Sequence, residues 1–436
     1  MASKGDNALG EMPQRPVDRL LKPIAYFLAI EATSGIVLLA ATIAALILAN
    51  SALADSYSAL WQMPIGMTVG GFGFVYPLKL VVNDGLMTLF FFVVGLEIKR
   101  ELVLGELRQL DVAALPIAAA IGGMVVPAGI YLALQAGEPG ERGWGVVMAT
   151  DIAFVVGCLA VLGKRVPNSL RIFVLSLAII DDIGAVLVIA LAYTADFHVE
   201  ALMLGIACAG TALVLRYLGV RNVAPYWFMG ILAWFAVHES GIHPTITGVA
   251  LGLMTPAFPL VGRRRFQAVA DRLGRLLPQA DKAEEADVLR SVATAARETL
   301  SPLERLENGL HPWVSFAILP LFALANAGVV LSADAFAEPI ALATMAGLVL
   351  GKPIGICVAS WLAIRLGLAA RPQGIGWPAL AAAGILCGIG FTMALFIANL
   401  AFGAELHATA SVGILAASLA SAVLGLALLA ATLRKS

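Results

Sequence analysis

Four charged side chains lie where charge is costly: Asp151, Asp181, Asp182 and Lys352 each fall near the middle of a long apolar run. A charge at the centre of a bilayer costs at least about 2.5 to 3.5 kcal/mol, so such residues mark ion or proton paths, or else an ion-pair network that only staples helices together. One lysine cannot neutralise three carboxylates. If all four ionise, the excess is negative, and low-dielectric surroundings tolerate that only with bound cations or protons. Asp181 and Asp182 are adjacent and point about 100° apart on a helix, which predicts different tasks for them. One can ligate a cation while the other pairs with Lys352, whose ammonium would otherwise be discharged by desolvation.

Two further features carry chemistry. Asp84 and the group Glu97, Lys99, Arg100 and Glu101 lie at opposite ends of one run, about 20 Å apart in helix rise, so they form two sites rather than one. Glu97 and Glu101 share a helix face with Arg100. That pattern reads either as a pH-responsive cation funnel or as an ordinary solvated helix end. Backbone breaks are the second feature, because transporters bind ions where two interrupted spans face each other with helix ends. The glycines Gly384, Gly388 and Gly390 in GILCGIGFTM interrupt one run, and Ala149-Thr150-Asp151 interrupts another. Asp151 and Lys352 are placed to compensate the opposite partial charges of such helix ends.

The elements that must hold these residues follow from composition. The chain has 436 residues, 60% hydrophobic and 13% charged, with a mean hydropathy of +0.91; soluble chains carry about 25% charged residues. Spanning a hydrocarbon core of about 30 Å takes roughly 20 apolar residues, and such runs recur from Ile30 almost to the C-terminus. Continuous runs exclude a β-barrel pore, whose strands alternate. The prediction is an all-α polytopic membrane protein, one domain over 1–436, with twelve spans centred near residues 40, 93, 123, 152, 180, 208, 230, 248, 318, 352, 390 and 421. Spans seven and eight are short. Spans 3–5 and 10–12 read as inverted repeats, with discontinuous spans 4 and 11 crossing at mid-membrane.

Residues 1–25 read as a polar cytoplasmic tail without a removable signal peptide. Residues 51–82, with Gly70, Gly71, Gly73 and Pro77 among alternating apolar residues, read as an external, periplasmic β-hairpin-like loop, and 262–310 as a charged, partly helical cytoplasmic loop. Every Lys and Arg except Lys79, Arg142 and Lys352 falls on one side if the N-terminus is inside, which also puts the C-terminus in the cytoplasm. No basic field invites nucleic acid. Cys158, Cys208, Cys357 and Cys387 lie in apolar spans without disulfide or zinc spacing. The five histidines likewise show no metal-ligand spacing, and His243, before Pro244, reads as a polar helix-entry residue.

Long ordered blocks resemble the NhaA-type sodium/proton antiporters: NDGLMTLFFFVVGLEIKREL from Asn83, ATDIAFVVGCLAVLG from Ala149, RIFVLSLAIIDDIGAVLVIALAYT from Arg171, HPWVSFAILPLFALANAGV from His311, GKPIGI from Gly351 and CGIGFTMALFIANLAF from Cys387. Inverted repeats are a feature of that family, so the broken spans and the resemblance are not independent observations. The resemblance implies an electrogenic, pH-regulated antiporter of a bacterial inner membrane, exporting Na⁺ or Li⁺ for protons by alternating access, without a cofactor. It implies Asp182 as principal cation ligand, Asp181 beside it linked to Lys352, and Thr150 and Asp151 nearby. It further implies Glu97, Arg100, Glu101 and Glu307 as a cytoplasmic pH-response cluster, Asp84 in the periplasmic funnel, Gly388 and Gly390 at the helix break, and a homodimer joined through the hairpin region within membrane lipid. Asn308 stands where well-known members carry histidine, which removes a titratable group there.

Two other classes compete. An intramembrane aspartyl protease needs two carboxylates from facing helices to share a water, and Asp181 and Asp182 are sequential. A channel would line a wet pore, whereas mid-depth charges balanced against Lys352 read as occluded. A Na⁺-coupled symporter of similar fold is the remaining alternative, since it differs only in the direction of proton flow.

Overall fold

The computed structural model describes residues 31–69, 72–194, 197–220, 224–259, 266–268, 287, 289–291, 293, 296, 298–371 and 375–433. The predicted tail and most of 262–300 lie outside them. The described residues are overwhelmingly helical. In chain order they form α1 (Glu31–Ala49), α2 (Ala54–Gln62), β1 (Pro64–Val69), β2 (Phe72–Pro77), α3 (Leu78–Val103), α4 (Leu110–Gln135), α5 (Ile152–Leu162) and α6 (Asn168–Ala192). Then come α7 (Val199–Tyr217), α8 (Ala224–Glu239), α9 (Thr245–Met254), α10 (Pro302–Asn326), α11 (Pro339–Arg365), α12 (Trp377–Leu386), α13 (Phe391–Ala401) and α14 (Ala404–Leu433). Among the described residues, seven helices are long and apolar enough to cross a membrane, or nine if each bent pair counts as one span. The remaining predicted spans coincide with short helices, notably α5 and α9.

Proline sets many of the helix starts. Pro302, Pro339 and Pro378 occupy the first turns of α10, α11 and α12, where no intrahelical N–H is lost. Ser301 adds a capping box to α10, its hydroxyl accepting from the Glu304 N–H while the Glu304 carboxylate accepts from the Ser301 N–H. Three wide, π-helical turns interrupt the long helices, at Val81–Leu86, Val314–Ile318 and Ala346–Gly351. The last two adjoin Pro312 and Pro353, whose missing N–H groups prevent regular i to i−4 pairing. Lys352 sits at the end of the third.

The segment 51–82 is only partly hairpin. The two strands pair antiparallel with Ile65 opposite Tyr76, but they fill only residues 64–77. Before them α2 turns back 114° from α1 and buries Trp61, and after Pro77 the chain has already entered α3.

The helices pack in two groups. One holds α4, α5, α6, α11, α12, α13 and α14, with α4 along α11 and α12 along α14; these are the segments of the two predicted repeats. The other holds α3, α7, α8, α9 and α10, with α3 along α9 and α7 along α8, while α1 lies between α5 and α10. Backbones meet closely inside each group. A methyl on Gly355 would come within 3.0 Å of Val126 Cβ and closer still to the Gly122 carbonyl, and one on Gly95 would meet the Val249 carbonyl at 2.6 Å. Small residues are what allow such contacts where lipid and side chains are equally apolar. Gly355→Val is therefore expected to cost about 1 to 3 kcal/mol through overpacking, read as a lower Tm in detergent. Gly129→Ala, where nothing lies within 4 Å, leaves Tm unchanged. Equal Tm values for the two variants would show that the α4 and α11 backbones are free to separate.

Candidate functional site

Two interruptions meet at the centre of the first group. Residues 149–151 lie outside any helix, with Asp151 extended, and are preceded by a tight helical segment over Glu141–Gly145 and a turn over 146–148 rather than by a long half-helix. Facing them, the chain leaves α12 at Leu386 and re-enters a helix at Phe391, with the two halves bent by 49°. The Asp151 N–H donates to the Ile389 carbonyl at 2.7 Å, and the Thr150 hydroxyl lies 3.0 Å from the Cys387 carbonyl. Backbone groups freed by the breaks are thus satisfied across the crossing, as they must be where water is absent. Gly388 and Gly390 are required by space, not by a left-handed backbone, for neither has positive φ. A methyl on Gly388 would lie 2.5 Å from the Leu348 carbonyl, and one on Gly390 2.9 Å from Ala394 Cβ.

Asp151 caps two helices at once. Oδ1 accepts the Phe154 N–H at 3.0 Å at the start of α5. Oδ2 accepts the Thr392 N–H at 3.0 Å and the Thr392 hydroxyl at 2.5 Å at the start of α13. Two helix N-termini and a hydroxyl stabilise its negative charge. No contact joins Asp151 to Lys352. The lysine instead pairs with Asp181 Oδ2, and its ammonium donates to the Thr150 hydroxyl at 2.7 Å. Thr150 Oγ1 also lies 2.5 Å from Asp181 Oδ2, so its single proton goes either there or to the Cys387 carbonyl, and the Lys352 and Asp181 side chains are both fully buried.

Asp182 is placed differently. It is 2% exposed, and its Oδ1 is buried without accepting a hydrogen bond from any described residue. The charges of Asp181, Asp151 and Lys352 act on it from its own group, and that of Glu97 from α3 in the other. Of the three carboxylates it is the one that makes no ion pair with Lys352 and whose buried Oδ1 takes no donor; Asp181 Oδ1 also lacks a donor, but its Oδ2 pairs with the lysine. Among the described residues no three or more His, Cys, Asp or Glu side chains are arranged to hold a metal ion. A cation at Asp182 would have to complete its shell with hydroxyl and carbonyl oxygens.

The other predicted residues lie in the second group. Arg100 of α3 pairs with Glu307 of α10, and its Nε is 3.9 Å from Glu101 Oε1. The charges of all three act on Glu97, so these four residues form one cluster. Asn308, beside Glu307, is exposed. At the far end of α3, Asp84 lies in the first wide turn, 3.7 Å from His243 Nε2, while His243 Nδ1 is 2.8 Å from the Thr245 hydroxyl. His243 thus stands near Asp84 as well as at the entry to α9. Thr392 was also missed, as were Asn83, Asn326 and Asn399, which hydrogen-bond to one another. Thr392, Asn326 and Asn399 are each a lone polar residue in an apolar run, which is the available signal, while Asn83 stands beside Asp84.

Comparison with known proteins agrees with this architecture. The profile of the family described as Na⁺/H⁺ antiporter 1 matches residues 25–429. The chain is 53% identical over 427 residues to the Na(+)/H(+) antiporter NhaA of Rhodopirellula baltica, covering 97% of each protein. It is 52% identical over 426 residues to the Na(+)/H(+) antiporter NhaA of Rhizobium meliloti, covering 96% of this chain and 97% of that protein. A third relative, Na(+)/H(+) antiporter NhaA 2 of Acidiphilium cryptum, is 52% identical over 427 residues, with 97% and 95% covered. Matches of this extent and identity, on a multi-pass helical chain with acidic residues buried at a crossing of broken helices, place the protein in the Na⁺/H⁺ antiporter 1 family, as a transporter and not an enzyme.

Proposed function

We propose that sodium/proton exchange in this protein runs through Asp182, where Na⁺ and H⁺ compete for one carboxylate. The observation that carries this reading is the unequal treatment of the three buried acids. Asp151 is surrounded by donors and Asp181 is paired with Lys352, but Asp182 makes no ion pair and its buried Oδ1 takes no donor. A carboxylate in that state must hold a proton or a cation, and taking one expels the other. Competition at one site is the coupling, and alternating access carries the occupied site between the two faces.

A Na⁺ bound at Asp182 lies next in sequence to the Asp181–Lys352 pair. Weakening that pair would release a second proton from Lys352, so that more than one proton crosses per cation and transport is electrogenic. Na⁺ or Li⁺ would share Asp182, Asp181 and Thr150 as oxygen ligands, while Asp151 holds the crossing. The cluster of Glu97, Arg100, Glu101 and Glu307 would gate entry from the cytoplasm as a function of pH, and Asp84 would line the outer approach. The setting is the bacterial inner membrane with both termini in the cytoplasm, as a homodimer joined through the 51–82 region. Membership of the family favours antiport over a Na⁺-coupled symporter of similar fold.

Two experiments address this reading. Asp182→Asn is expected to lower Na⁺-driven collapse of a pH gradient in everted vesicles by at least about 100-fold, with unchanged membrane insertion; full exchange in that variant removes Asp182 from the mechanism. Lys352→Met leaves the Asp181 carboxylate buried and alone, at a cost of about 3 to 5 kcal/mol. Adding Asp181→Asn should restore most of the lost Tm, because the orphaned charge is gone. A double variant no more stable than Lys352→Met alone would show that the pair is not coupled.

A further inference from the structure

On one side of the crossing the two packing groups are joined by side-chain amides. Asn326, buried at the end of α10, exchanges two hydrogen bonds with Asn83 of α3: its Nδ2 donates to Asn83 Oδ1 at 2.7 Å, and Asn83 Nδ2 donates to Asn326 Oδ1 at 3.2 Å. Asn399 of α13 donates to the same Asn326 Oδ1 at 2.8 Å. The first pair lies within the second group; the Asn399 bond crosses from one group to the other. Three residues before Asn399, Phe396 sits against Phe91, Phe322 and the edge of His243, with ring centres 5.4, 6.1 and 5.3 Å away. All three partners belong to the second group. Asn399 lies about 12 Å of helix rise beyond Phe391 at the crossing, on the side that the distribution of Lys and Arg assigns to the exterior.

The bond is built to break. When Asn399 leaves, Asn326 Oδ1 keeps Asn83, Asn326 Nδ2 keeps Asn83 Oδ1 and the Phe322 carbonyl at 2.9 Å, and Asn399 Nδ2 keeps the Leu395 carbonyl at 3.3 Å. No amide is orphaned in an apolar interior, so the large penalty for an unmade buried hydrogen bond does not arise. A permanent staple has no need of that provision.

We propose that Asn399, held by Asn326 beside the Phe396 socket, is a latch closing the outer route to Asp182, and that its release opens the site to the outside. This rests on the alternating-access reading above. Asn399 is a positioning residue: it touches no transported ion and acts by setting the balance between inward-open and outward-open states.

The test uses the full chain with its four cysteines replaced and a reporter at Val94→Cys. Val94 is one helical turn from Phe91 toward Glu97 and is buried with Ile98 and Ile179. Labelling by a membrane-impermeant maleimide is timed in right-side-out and in everted vesicles. Asn399→Ala and Asn326→Ala are each expected to raise the outside rate at least about fivefold and lower the inside rate. Asn50→Ala, which removes bonds to Val329 and Leu331, changes neither. If Asn399→Ala folds poorly, Asn399→Ser is measured in its place. Rates that rise on both sides would mean loosened packing, and outside rates within about twofold of the parent would mean no latch; either overturns the proposal. Na⁺/H⁺ exchange on the same vesicles separates the two readings. A parent without exchange overturns the antiport site, whereas an active parent with unaltered variants overturns the latch alone.

Discussion

The carboxylate of Asp151 is the contact on which the rest of the site depends. Interrupting two helices inside a hydrocarbon layer frees backbone N–H and C=O groups that water cannot reach. Asp151 takes the Phe154 N–H, the Thr392 N–H and the Thr392 hydroxyl, while its own N–H takes the Ile389 carbonyl. One residue therefore ties the starts of α5 and α13 to the end of the opposite break. The space for this crossing comes from Gly388 and Gly390, against which Leu348 and Ser421 close in. Thr150, one residue before Asp151, is carried by the same non-helical stretch to the Asp181–Lys352 pair.

With Asp151 committed to the backbone and Asp181 to Lys352, Asp182 is left as the buried carboxylate whose Oδ1 has no donor. The arrangement uses adjacency: two acids one residue apart on α6 diverge by about 100°, so one faces inward to α11 while the other does not share that partner. Lys352 reaches its position because the wide turn over Ala346–Gly351 ends immediately before it. A regular helix through those residues would rotate the ammonium away from Asp181. Helix irregularity and charge placement are thus parts of one solution.

Much of this was legible in the sequence, for definite reasons. Charges in apolar runs are rare enough that Asp151, Asp181, Asp182 and Lys352 identified themselves, and the glycines with Ala149-Thr150-Asp151 marked the two breaks. The all-α, multi-pass class followed from composition alone. Partners were harder to read. Spacing points to Asp151 as a residue that compensates a helix end at the crossing, but it does not reveal which N-terminal groups the carboxylate takes, the local Phe154 and the distant Thr392. The wide turns at Val81–Leu86 and Val314–Ile318 leave no simple periodic signature. Residues 51–82 were read as one hairpin because alternation is visible in 64–77, whereas α2 depends on Trp61 finding a buried place against Tyr57.

The division of the functional residues between two packing groups gives the arrangement its direction. The crossing, Asp181, Asp182 and Lys352 belong to one group, while Asp84, Glu97, Arg100, Glu101 and Glu307 belong to the other. In the proposed mechanism ions pass from groups carried by one body to a carboxylate carried by another, and relative movement of the bodies would change which approach is connected. Within each body close glycine contacts resist separation, together with the buried Asp181–Lys352 pair in one and the partly exposed Arg100–Glu307 pair in the other. Between them, on the side that the distribution of Lys and Arg assigns to the exterior, stand an aromatic socket at Phe396 and a neutral amide bond at Asn399, both of which can part without stranding a charge. Strong electrostatics inside the site-bearing group and weak, replaceable contacts at its outer edge are what a carrier needs: a site that stays intact while the wall beside it moves.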